Sequence, residues 1–138
     1  MSSNIQNQIK INASPDRVWA VLGDLAGVNV WVPGVTGAKL YGLNRVCTTA
    51  DGHEIREEIS GYSADERIYS YKHLQQPLPV NNSRGTLKVE ADGPVSVVVW
   101  AAEFEVPDPA QEIEMVAMIN GYYQQTLESL KQVVEQSE

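Results

Sequence analysis

The stretch that most constrains this chain is its last one, Ala110 to Gln136, which holds no proline and follows Pro107-Asp108-Pro109, a helix-start punctuation. A helix of that length spans roughly 40 Å at 1.5 Å per residue, the breadth of a small domain. Its apolar residues fall into two stripes. Ile113, Val116, Tyr123, Leu127, Leu130 and Val134 recur at steps of three and four, the pattern of one buried face. Met115, Met118, Ile119 and Tyr122 form a second stripe beside it. One sheet on one side of the helix needs only the first. The second predicts either more sheet or a space that a ligand fills. Gly121, mid-helix, costs about 1 kcal/mol relative to alanine, which close packing or a bend would offset.

Upstream the pattern changes to strands. Ile5, Ile9 and Ile11 alternate with Gln8 and Lys10, a first strand. Ser14-Pro15-Asp16 then starts a helix, with Ser14 as cap and Pro15 at the first helical position. Val18, Trp19, Val21, Leu22 and Leu25 supply its buried face, and a second short helix fits between Val28 and Gly34. Strands are expected over Val35–Tyr41, Arg45–Thr49, Glu54–Ser60, Arg67–Leu74, Ser83–Val89 and Ser96–Val106. Short connections between them imply an antiparallel meander. The expected class is therefore α+β: one domain over residues 1–138, a curved antiparallel sheet of about seven strands around a long C-terminal helix, with one or two short helices after the first strand. A strongly bent sheet satisfies both helix stripes and leaves a cavity between sheet and helix.

Composition removes several classes of function. The net charge is −8 with no block of Lys or Arg, so neither nucleic acid nor an anionic membrane surface is an expected partner. No apolar run approaches the roughly 20 residues of a membrane span. Met1 to Gln6 lacks the basic start and apolar core of a secretion signal, and Cys47 is the single cysteine, so a cytoplasmic chain without disulfides is expected. The two histidines and one cysteine have no metal-site spacing, and there is no Gly-rich phosphate loop, so no metal and no cofactor is expected.

Glu57 is the most informative single residue. It shares an alternation face with Ile55 and Ile59, so a carboxylate is expected inside, where burial raises its pKa unless a cation answers it. It reads as a cavity acid or base, or else as a strand-end carboxylate that reaches water or one paired for structure. Arg45 is the partner only in one register. A two-residue Asp51-Gly52 turn pairs Ala50 with His53 and places Arg45 opposite Glu58, in solvent. A three-residue loop, Ala50 to Gly52 with Gly52 left-handed, places Arg45 opposite Glu57, inside. Tyr69, Tyr71 and His73 face inward on the next strand, Tyr71 as a candidate for orienting a ligand and His73 as a rim residue. Trp100 and Phe104, with Met115, Met118 and Tyr122 from the helix, make a wall suited to a small apolar ligand or to an ordinary core. Cys47 reads as a small buried residue.

Ala13 to Trp19 (Ala-Ser-Pro-Asp-Arg-Val-Trp), Trp31 to Val35, Tyr69-Ser70-Tyr71 and Pro77 to Val80 resemble the START-like, or SRPBCC, superfamily, and within it the bacterial polyketide cyclase/dehydrase-type members. These are related to plant abscisic acid receptors and to lachrymatory factor synthase. The resemblance covers almost the whole chain and implies a helix-grip fold enclosing an apolar cavity. By resemblance to the synthase, which rearranges a small sulfenic acid without a cofactor, Arg45 and Glu57 match its cavity arginine and glutamate, favouring the three-residue loop. By resemblance to the receptors, Glu57, Ser83, Trp100, Met118, Tyr122 and Thr126 fall at ligand-lining positions. The chain departs from the receptors at Thr36, Ser83 and Trp100, where they carry a cavity lysine, a tyrosine and a glutamate, so hormone sensing is not implied.

Two ligand-binding readings follow, beside a third in which the chain is an interaction module with a filled interior. In one, the chain is a cofactor-free acid–base enzyme that isomerises, cyclises or dehydrates a small apolar molecule, with Glu57 moving a proton, Arg45 holding developing charge and Tyr71 orienting the substrate. In the other it is a non-catalytic carrier for a small hydrophobic ligand. Either way the expected lining includes Trp31, Cys47, Ile59, Tyr69, Ser83, Trp100, Phe104, Met115, Met118, Tyr122 and Thr126.

Overall fold

Alternation along the strands decides the architecture, because each strand offers one apolar face and one polar face to be sorted. In a computed structural model describing residues 2–136, the chain runs β1 (Ser2–Ile11), α1 (Pro15–Leu22), a 3-10 segment (Leu25–Val30), β2 (Val35–Tyr41), β3 (Asn44–Thr49), β4 (Glu54–Ser63), β5 (Ile68–Gln75), β6 (Asn81–Asp92), β7 (Val95–Glu105) and α2 (Glu112–Gln136). The strands make one antiparallel sheet in the order β1-β7-β6-β5-β4-β3-β2. This is the expected helix-grip arrangement. Ile5, Ile9 and Ile11 of β1, Leu87 and Val89 of β6, and Val98, Trp100, Ala102 and Phe104 of β7 are buried on its inner face. Register shifts in the β2–β3, β4–β5 and β6–β7 pairs add the local kinks that let such a sheet bend.

Helix α1 begins as its sequence requires, with Ser14 Oγ accepting from the Arg17 backbone N–H at 3.3 Å and Pro15 in the first turn. Helix α2 packs against β1, where Asn7 Nδ2 donates to Asn120 Oδ1 at 2.9 Å, and the Arg17 guanidinium of α1 donates to the Val134 carbonyl at 2.9 Å. No helix among the described residues is long and apolar enough to cross a membrane.

Two expectations for α2 need correcting. Ile113, assigned to the buried stripe, is 85% exposed. Residues Ile119, Tyr123, Leu127, Leu130 and Val134 form the face that is buried, so the helix outruns its cover at the N-terminal end. Close packing does not explain Gly121, since a Cβ there would meet nothing within 4 Å. Gly121→Ala is therefore expected to stabilise the chain by about 0.5–1 kcal/mol through helix propensity. Urea unfolding checks this; a loss of stability would reveal a constraint at that turn.

Candidate functional site

The site begins with a turn. Ala50, Asp51 and Gly52 link β3 to β4, Gly52 takes φ +87°, and the Thr49 N–H donates to the His53 carbonyl at 2.9 Å. This three-residue loop pairs Arg45 with Glu57 and turns both inward. Arg45 is 3% exposed and Glu57 6%. Arg45 Nε donates to Glu57 Oε1 at 2.8 Å, a second guanidinium nitrogen reaches the Leu25 carbonyl at 3.3 Å, and the guanidinium lies 5.6 Å from the centre of the Tyr69 ring.

The remaining carboxylate oxygen faces His73. Glu57 Oε2 lies 3.3 Å from His73 Nε2, and His73 Nδ1 lies 2.8 Å from Ser83 Oγ. Burial alone would raise the Glu57 carboxyl, but the His73 hydrogen bond and the Arg45 charge outweigh it and hold it below the ordinary value of 4.5. An ionised carboxylate only accepts hydrogen bonds, so His73 Nε2 carries the proton that faces it. In the neutral ring Nδ1 then accepts, and Ser83 donates. Cys47 Sγ lies 3.7 Å from Glu57 Oε1, and burial with the Glu57 charge pushes the thiol up to about 12, which keeps it a thiol.

A second polar cluster sits beside the first. The Tyr71 and Tyr123 hydroxyls are 3.1 Å apart, and Trp100 Nε1 donates to the Tyr71 oxygen at 3.0 Å. Trp100 and Tyr123 stack with ring centres 3.8 Å apart. Tyr71 reaches this position because its cross-strand neighbour is Gly85, where any Cβ would come within 2.6 Å of Tyr71 Cζ. Burial raises both phenols, Tyr71 strongly and Tyr123 to about 12, so both stay protonated near neutral pH. The pair holds two hydroxyl protons and spends one on itself. One proton remains to donate into the cavity.

That cavity measures about 530 Å³ and lies between the β2–β3 and β5–β6 ends of the sheet and α2. Its inner polar wall includes Tyr71, His73, Ser83 and Tyr123, with Thr49, Asp51 and Gln76 also among the lining; its apolar wall includes Val35, Ile55, Val80, Trp100 and Ile119. Met118, 50% exposed, and Tyr122, whose hydroxyl donates to the Pro33 carbonyl at 2.9 Å, stand at the solvent side. Of the residues singled out from sequence, Tyr71, Ser83, Trp100, Met118 and Tyr122 are in the wall. Arg45 and Glu57 lie behind it, reaching the cavity only through His73. Cys47, Ile59 and Tyr69 face the same interior without lining the cavity. Phe104, Met115 and Trp31 pack in or against the core, Trp31 meeting Trp100 edge-on with ring centres 6.3 Å apart. Thr126 is fully buried and donates to the Tyr122 carbonyl at 2.7 Å. His73 and Tyr123, read as rim and core, are instead in the polar wall. Among the described residues no cluster of three His, Cys, Asp or Glu side chains could hold a metal ion.

Residues 3–135 match the sequence model of the polyketide cyclase/dehydrase and lipid transport family. The chain belongs to this family. Among solved structures it is similar to XoxI from Bacillus cereus (27% identity, TM-score 0.87, 96% of this chain and 95% of that one). A Bacillus thuringiensis protein is equally similar (26% identity, TM-score 0.88, 96% and 98% covered). Norcoclaurine synthase from Thalictrum flavum shares the fold at 17% identity, with TM-score 0.78 and 100% and 89% coverage. No curated protein matches the sequence at a significant level. Family membership supports ligand binding or cyclase-type chemistry and specifies no single activity.

The ion pair generates a pH dependence. The folded-state pKa of Glu57 is lowered, so the pair's stabilisation is complete above the ordinary value of 4.5 and is lost as pH falls through the lower folded value. The stability difference between the native chain and Glu57→Gln is expected to shrink from about pH 7 to about pH 3. Arg45→Leu, which leaves the carboxylate buried without its cation, should cost about 3–5 kcal/mol at neutral pH. Urea unfolding across that range checks both; a difference independent of pH would place the carboxylate outside the pair.

Proposed function

We propose that this chain binds a small, mainly apolar molecule carrying one oxygen function, and moves a proton on it without a cofactor. The observation that carries this reading is His73 in the cavity wall with both ring nitrogens engaged, one on Glu57 and one on Ser83. A base held in this way is fixed in tautomer and orientation. Glu57 is then the group that positions His73, and Arg45 keeps Glu57 ionised. This reassigns the proton-moving role from Glu57 to His73. Because His73 Nδ1 faces Ser83, a proton leaving the substrate passes to Ser83 Oγ as the Ser83 proton passes to His73. The spare hydroxyl proton of the Tyr71–Tyr123 pair meets the substrate oxygen where negative charge develops. Isomerisation, cyclisation and dehydration all need this combination of one base and one neutral donor.

The size of the cavity fits one small ring system or short chain, within the range of ligand sites in general. The norcoclaurine synthase structure holds dopamine and hydroxybenzaldehyde, so the fold accommodates molecules of this class. The carrier reading has its own support in the largely apolar wall, and it shares the binding step.

Purified chain is expected to take up one equivalent of the neutral apolar fluorophore 1-aminoanthracene. Met118→Trp, which fills the solvent side, should weaken binding at least about tenfold. Fluorescence titration measures both. No uptake by the native chain, or equal uptake by the filled variant, would overturn the cavity as a binding site.

A further inference from the structure

We propose that Ser83 is a nucleophile and that this cavity also cleaves small, uncharged apolar esters by acyl transfer, an activity resting on its reading as the binding site. Three independent features converge on the serine.

The first is backbone. Register along β6–β7 runs Asn81 opposite Glu105 and then Arg84 opposite Glu103, so Asn82 and Ser83 together face the single position between them. Asn82 has φ +51° and is held by its side-chain amide donating to Glu105 Oε2 at 2.9 Å. Asparagine tolerates the left-handed region better than most residues, and a bulge of this kind re-aims the side chain beside it. Here that side chain is Ser83, which is 9% exposed and lines the cavity.

The second is the hydrogen-bonded order hydroxyl, imidazole, carboxylate. Ser83 Oγ lies 2.8 Å from His73 Nδ1, and His73 Nε2 lies 3.3 Å from Glu57 Oε2. A base within hydrogen-bond reach of a hydroxyl, oriented by a third group, is how a serine is activated on unrelated folds, recognised by geometry rather than by position in sequence. The arrangement uses the opposite ring nitrogens from the best-known serine hydrolases, but the roles are the same. Cys47, the single cysteine, is held as a thiol away from the cavity wall.

The third is the wall. Among the described residues no Lys or Arg lines the cavity, so an anionic acyl group finds no fixed cation there. The Tyr71–Tyr123 pair offers its one spare proton to the carbonyl oxygen.

In the first step Ser83 Oγ bonds to the ester carbonyl carbon as its proton passes to His73 Nδ1. The tetrahedral adduct collapses, the bond to the alcohol oxygen breaks, and His73 returns the proton to that oxygen. Water then adds to the acyl-Ser83 carbonyl, giving its proton to His73. The bond to Ser83 breaks, His73 reprotonates Ser83 Oγ, and a carboxylic acid leaves.

The test combines hydrolysis of p-nitrophenyl butyrate with labelling by an alkyl fluorophosphonate, read by intact mass and peptide mapping. One phosphonyl adduct on Ser83 is expected, with ester turnover and labelling both lost in Ser83→Ala. His73→Gln should slow labelling at least about 100-fold. A native chain that binds 1-aminoanthracene yet takes no adduct, or takes it elsewhere, overturns the nucleophile and leaves the binding site standing. A chain that neither binds nor labels removes both.

Discussion

A guanidinium and a carboxylate meet at 2.8 Å inside a bent sheet, and much of the molecule is arranged around making that tolerable. Removing two charges from water costs several kcal/mol each, which their attraction offsets only when the remaining donors and acceptors are satisfied. The chain satisfies them from four elements. β3 supplies Arg45 and β4 supplies Glu57; the 3-10 segment gives the Leu25 carbonyl, and β5 gives the Tyr69 ring and His73. The pair is therefore a register device as well as an electrostatic one. A two-residue turn would leave Glu57 inside without its cation. That penalty of several kcal/mol exceeds the roughly 1 kcal/mol at stake in a choice of turn residues, so the longer loop wins.

From that fixed pair the polarity of the interior follows outward in order. The His73 hydrogen bond and the Arg45 charge together hold Glu57 ionised, Glu57 faces the His73 Nε2 proton, and Nδ1 faces the Ser83 hydroxyl. Only the last two members of this sequence touch the cavity. The Tyr71–Tyr123 pair touches it only where the Tyr71 ring meets His73 edge-on, with centres 5.2 Å apart, and is set by packing. Gly85 clears room for the Tyr71 ring, and Trp100 stacks on Tyr123 while occupying one lone pair of Tyr71. A largely apolar chamber thus receives, at its inner end, a base and a neutral hydroxyl donor whose proton inventories are set by their neighbours.

Most of the architecture was legible in the pattern of residues. Period-two alternation placed Glu57, Tyr69 and Tyr71 inward, the family resemblance placed Ser83 at the cavity, and the capped start at Ser14 is where α1 begins. The β3–β4 register was not legible in the local pattern, only in the resemblance that favoured the longer loop, because Asp51-Gly52 is a strong local signal for the wrong turn and the deciding interaction is buried between strands. Alternation also says which face a side chain takes, not how far along the strand the cavity extends. Trp100 and Phe104 share a face of β7, yet only Trp100 reaches the opening. Helical periodicity failed at Ile113 for a related reason, since it assumes cover along the whole helix. His73 was visible as an inward residue but not as the link between Glu57 and Ser83, because that depends on a bulge at Asn82 that no turn motif announces.

The most direct measurement is the tautomer of His73, read from the ring nitrogen shifts in long-range nitrogen–proton NMR correlation. With Arg45 and Glu57 behind it and Ser83 in front, the neutral imidazole is predicted to carry its proton on Nε2 and to accept at Nδ1. A proton found on Nδ1 would mean that Ser83 is the acceptor and Glu57 does not orient the ring, and the ordered path from ion pair to cavity would be wrong.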